Sequence, residues 1–96
     1  MPLFVLMGSD GPRGLELRKQ HRDAHLSNLQ PLADAGRVRY AGPILEDQQP
    51  CGSVIVFEAA DLDAARDFAA GDPYVVHGIF ASHEVIETRQ VFPKDA

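Results

Sequence analysis

The sequence has one cysteine, Cys51, in 96 residues. A lone cysteine excludes an intrachain disulfide and a metal cage built of cysteines alone, and it fits a reducing compartment. No dense basic run and no aromatic-rich basic strip occurs, and the formal net charge is −5. Nucleic acid and anionic membrane are therefore excluded as expected partners. No apolar run approaches the roughly 20 residues that span a bilayer. The opening segment PLFVLM is apolar but short and has no positive charge before it, so it is not read as a signal peptide and a cytoplasmic protein is expected. There is no internal repeat and no low-complexity tract.

What is present is an ordinary globular composition, 45% hydrophobic and 24% charged. The length suits one domain, residues 1–96, with a modest core. The apolar run 2–7 predicts a strand, continuous enough to suggest a central strand buried on both faces. A Gly-rich loop over 8–14 leads to a helix from about Leu15 to Ala35, closed by Gly36. Pro31 lies inside it, where a missing N–H predicts a kink or break. Residues 37–45 predict a second strand, EDQQPCG a polar turn carrying Cys51, and 53–60 a third strand. Asp61 is placed to cap a second helix that ends at Gly71. Asp72–Pro73 reads as the cap and first position of a short helical turn, and 79–92 as a last strand.

The order β-α-β-β-α-β implies a ferredoxin-like α+β fold: one antiparallel sheet with both helices on one face. The other face also carries apolar side chains, and an exposed apolar sheet marks a partner surface. A homodimer stacked through its sheets is the simplest expectation.

An α-helix turns about 100° per residue. On that wheel Leu15, Leu26, Leu29, Leu32 and Ala33 share one sector. Arg18, Arg22 and His25 fall in the same sector, while Lys19, Gln20, Asp23, Ser27 and Gln30 fall outside it. Either the first turns of the helix protrude and the arginines snorkel to water, or the helix walls a polar pocket.

The ordered set R-x-x-x-R-x-x-H-L (Arg18, Arg22, His25, Leu26), L-x-x-x-G (Leu32, Gly36), AGP (Ala41 to Pro43), Gly52–Ser53, DPY (Asp72 to Tyr74) and Gly78 resembles the YciI-like family over nearly the whole chain. That resemblance implies a dimeric α+β barrel, similar in fold to muconolactone isomerase. It also implies a catalytic dyad of the first-helix histidine and the DPY aspartate, here His25 and Asp72. Most members have no assigned reaction; one enzyme with such a domain is a chlorohydroxyhydroquinone dehydrochlorinase. Pro31 and the short turn between strands two and three depart from the pattern, and neither touches the dyad.

Each candidate has a plainer alternative. His25 can move a proton near neutral pH, or it can be a core-edge histidine bonded to backbone. Asp72 can orient that histidine, or merely cap its helix; the two tasks use different lone pairs, so one carboxylate can do both. Arg18 and Arg22 can bind an anionic substrate, or pair with Glu16, Asp10 or a partner chain. Ser53 can donate to a ligand but lacks a nucleophile-elbow context. Tyr74 can wall the pocket, or only pack. His21 has the i, i+4 spacing from His25 of two metal ligands, yet Arg22 stands where zincins carry glutamate, so no metal site is expected, with or without His77 and His83. No cofactor is expected. Three function classes follow: a small lyase or isomerase acting on a small polar or aromatic compound, with dehydrochlorinase-like chemistry within its range; a non-catalytic module binding small anions; and a purely structural dimeric domain.

Overall fold

The computed structural model describes residues 1–94. The chain runs β1 (Leu3–Asp10), α1 (Gly14–Asp34), β2 (Val38–Glu46), β3 (Gln49–Glu58), α2 (Leu62–Ala70), α3 (Pro73–Val76) and β4 (Phe80–Thr88). The four strands form one antiparallel sheet in the order β2-β3-β1-β4. This is the ferredoxin-like α+β arrangement that the element order implies.

Strand alternation decides what is buried. Phe4 and Leu6 of β1 lie opposite Phe57 and Ile55 of β3, and all four are buried against the helices. Leu29 of α1 and Ala65 and Ala69 of α2 complete that core. A second cluster of Tyr74, Ile79 and Phe80 closes the end where α3 sits. The residues between them point the other way. Val5, Met7, Val54, Val56, Tyr40 and Ile86 share the open face, with Met7 39%, Ile86 48% and Tyr40 56% exposed. β1 is central, as its apolar run suggests, but within this chain only one of its faces is buried.

Two further expectations change. Pro31 neither breaks nor ends α1, which is helical to Asp34. It stands in the last turn, so its absent N–H forfeits a single bond near an end that frays anyway. The helix then closes on Gly36 in the left-handed region, with φ 72° and the Arg37 N–H donating to the Leu32 carbonyl (2.8 Å). The polar stretch between the second and third strands is also not a loop. β3 begins at Gln49, so Cys51 is a strand residue, and the turn shrinks to Asp47 and Gln48 with φ 51° and 66°. Two successive positive φ values make the type I′ turn whose twist suits a hairpin. The last strand ends at Thr88, and Val91 and Phe92 lie exposed beyond it.

Gln48 holds a backbone conformation that glycine adopts freely. Gln48→Gly is expected to raise stability by about 0.5–1 kcal/mol. Gly36→Ala, with open space around its Cα, is expected to cost about 1 kcal/mol through backbone strain alone. Urea unfolding of the two variants measures both; equal midpoints would contradict the assignment.

Candidate active site

The site lies where α1 crosses the end of β3 and meets α3. Asp72 caps α3: its Oδ1 accepts from the Tyr74 N–H (2.8 Å). The same oxygen accepts from His25 Nδ1–H (2.9 Å). Capping and orienting are thus not alternatives here; two lone pairs of one oxygen serve both. Asp72 is fully buried, and its Oδ2 has no partner among the described residues. A carboxylate oxygen can only accept, so Nδ1 carries the hydrogen of this contact.

Tyr74 fixes the imidazole plane. Its ring stacks on His25 with centroids 3.9 Å apart and planes 2° from parallel. Phe80 meets it edge-on at 5.7 Å, and the Arg18 guanidinium carbon lies 5.0 Å from its centre. Phe80 can lie there because position 8 has no side chain: a Cβ on Gly8 would come 2.5 Å from the Phe80 ring.

Arg18 is held more firmly than an anion clamp need be. Nε and Nη2 donate to the two oxygens of Asp10 (2.7 and 2.9 Å), and Nη2 also reaches the Gly52 carbonyl (2.8 Å) and Ser53 Oγ (3.0 Å). The sequence offers Asp10 only as one of several possible salt-bridge partners. A residue eight positions upstream, at the end of β1, becomes a neighbour only when the helix folds back over the sheet. Burial opposes the Arg18 charge, yet the Asp10 carboxylate, with a smaller part from Tyr74, outweighs it and raises the Arg18 pKa.

These groups border a cavity of about 390 Å³. Arg18, His25, Ser53 and Tyr74 supply its polar side; Leu26, Leu29 and Ile55, with Ala41 to Pro43 of β2, supply an apolar wall. Arg22 and Lys19 also line it, both from exposed positions and neither paired with another described residue. The wheel places Lys19 outside the inward sector, but its side chain is long enough to reach the rim. His21 is not part of the cavity lining: it stacks on His77, centroids 4.0 Å apart. His83 is exposed on β4, opposite Gly8. Among the described residues, no three of His, Cys, Asp and Glu gather as metal ligands would, and no helix is long and apolar enough to cross a membrane.

A ferredoxin-like α+β protein with a buried His–Asp contact at a largely apolar cavity is the class that the fold and geometry define. The chain belongs to the YCII-related family, whose model matches residues 2–89. It is 36% identical to the protein YciI of Escherichia coli O6:H1 over 94% of this chain and 99% of that one. It is 35% identical, over 67% of this chain and 74% of the other, to derivative of benzaldehyde biosynthesis cluster protein C of Emericella nidulans. Among solved structures it resembles 5-chloro-2-hydroxyhydroquinone dehydrochlorinase from Burkholderia phenoliruptrix in complex with 2,5-dihydroxybenzoquinone, at TM-score 0.82 and 28% identity, covering 97% of this chain and 99% of that one.

The Tyr74 phenol gives a test of this packing. Burial raises its pKa above the ordinary 10.0; Arg18 and Arg22 pull down, Asp72 and Asp10 push up, and the net is upward. Below pH 10 both folded and unfolded chains hold the phenol proton. As pH rises past that point the unfolded chain releases it first, so stability falls until the folded value is passed. In a Tyr40→Phe variant, where Tyr74 is the one tyrosine left, phenolate absorbance is expected to rise with a midpoint above pH 10. A midpoint at or below that would remove the buried phenol from the site.

Proposed function

We propose that this protein is a small-molecule lyase or isomerase, acting on a hydroxylated, planar compound that carries or develops an oxyanion. The contact of His25 Nδ1 with Asp72 Oδ1 at 2.9 Å, on the wall of the cavity, carries this reading. His25 is the acid–base and Asp72 holds it in one tautomer and orientation. Arg18, Ser53 and Tyr74 contact the substrate from the polar side, and Arg22 attracts it at the rim. Support also comes from the likeness to a dehydrochlorinase bound to a dihydroxyquinone.

In the proposed step, His25 Nε2 takes a proton from the substrate, leaving the electron pair on a conjugated oxygen. Returning the proton elsewhere completes an isomerisation. Expelling a leaving group such as chloride with that electron pair completes an elimination, and His25 then gives its proton to solvent. Neither route changes the number of electrons in the system, so neither calls for a redox cofactor.

A screen of chlorinated and unchlorinated hydroxyhydroquinones is expected to find one that the protein converts. His25→Gln, which can still donate to Asp72 but cannot shuttle a proton, is expected to lose about 100-fold or more in kcat/KM while remaining folded. Unchanged turnover in that variant would sink the reading. Binding without turnover of any compound in the screen would favour an anion-binding module instead.

The same proposal includes a second copy of the chain. The open sheet face aligns Val5, Met7, Val54, Val56 and Ile86, and burying such a face is the main route by which a small domain gains stability. Light scattering is expected to report twice the chain mass, and Val54→Asp, at the centre of that face, to report the single mass. A monomeric wild-type protein would refute it.

A further inference from the structure

The contact between Asp10 and Arg18 does more than neutralise two charges. Two parallel bonds, Nε to Oδ2 (2.7 Å) and Nη2 to Oδ1 (2.9 Å), fix both the plane and the direction of the guanidinium. The surrounding chain makes room for it. A Cβ on Gly14 would stand 2.5 Å from Asp10 Oδ2, so the first turn of α1 leaves that place empty for the carboxylate. The pair is largely withdrawn from water, with 11% and 6% of the two side chains exposed. Such pairs rarely add net stability over an apolar pair of the same shape. What the fork does supply is orientation.

Nε and Nη2 are used up on Asp10, Gly52 and Ser53. Although the Tyr74 phenol lies near enough to act on the Arg18 charge, Nη1 makes no hydrogen bond of ordinary length to another described residue. It is also absent from the buried unpartnered atoms, which are Asn28 Nδ2, Arg37 Nε and Asp72 Oδ2. Nη1 is therefore not wholly buried, and it sits on a side chain that borders the cavity. Ser53 Oγ accepts from Nη2 and so keeps its own hydrogen to give.

We propose that Arg18 Nη1–H and the Ser53 hydroxyl form an oxyanion subsite, and that Asp10 is its positioning residue. Asp10 cancels the net charge of Arg18, so the subsite selects by directed hydrogen bonds. Its ligand is the delocalised oxygen of a phenolate or enolate on a small planar body. This deepens the anion-binding reading of the cavity and rests on it.

The test is a mutant cycle with 2,5-dihydroxybenzoquinone as the probe, followed by its visible absorption. Wild-type protein is expected to bind it, and Asp10→Asn to weaken binding about tenfold with a shift of the bound-state band. In an Arg18→Met background, Asp10→Asn is expected to change neither, because Asp10 acts only through Arg18. Equal losses in both backgrounds would mean that Asp10 merely supports the fold, and would overturn the proposal. Ser53→Ala, which leaves the ion pair in place, gives an independent reading: an about tenfold loss is expected, and unchanged affinity overturns the subsite. Wild-type protein that takes up no probe removes the anion-binding reading and this inference with it. Wild-type binding with full affinity in Asp10→Asn removes this inference alone.

Discussion

A single buried carboxylate joins the parts of this molecule that wall the cavity. Asp72 starts α3, holds the Tyr74 backbone, and accepts from His25 on a different helix. A carboxylate this far from water must be bonded, because an unpaired buried charge costs several kcal/mol. α3 has only four residues, too few to be stable as an isolated helix. It persists through the Asp72 cap and through Tyr74, packed between His25 and Phe80. Tyr74 in turn aligns the imidazole. Cap, stack and histidine therefore stand or fall together.

The second constraint is the one-sided sheet. Helices cover one face and leave the other apolar and bare. The cavity forms on the helix side, where Arg18 and His25 stand on the α1 stripe that Leu29 and Leu32 continue. Most of the polar groups that face inward there bond one another, Asp72 Oδ2 being the exception among the described residues. Arg18 answers Asp10, Gly52 and Ser53; His25 answers Asp72. His25 Nε2, Arg18 Nη1 and the cations Arg22 and Lys19 bond to no other described residue. That residue of unmet bonding capacity separates a site from a core.

Much of the fold is legible in the chain. The apolar runs that become β1 and β3, Gly36 after α1, and Asp61 and Asp72 before α2 and α3 are local signals, and local physics settles them. The places where reading fails are those where a neighbour outweighs local preference. Cys51 and Gln49 look like turn residues, yet pairing with β2 extends the strand to the hairpin, and Asp47 and Gln48 accept positive φ to close it. Pro31 looks like a helix breaker, yet in a last turn it has little left to break.

The candidate site divides in the same way. The one-dimensional pattern places Arg18, Arg22 and His25 on a single helical stripe, since periodicity along one helix is a property of sequence alone. Nothing in the pattern pairs Arg18 with Asp10 in preference to Glu16, because that choice depends on how α1 folds back over β1. Nor does it say that one Asp72 oxygen would cap a helix and hold a histidine 47 residues away. The sequence by itself determined which side chains could do chemistry and that they share a face. Only the tertiary structure decided which were spent on each other and which were left facing the cavity, because contacts between distant segments exist only once the sheet has brought them together.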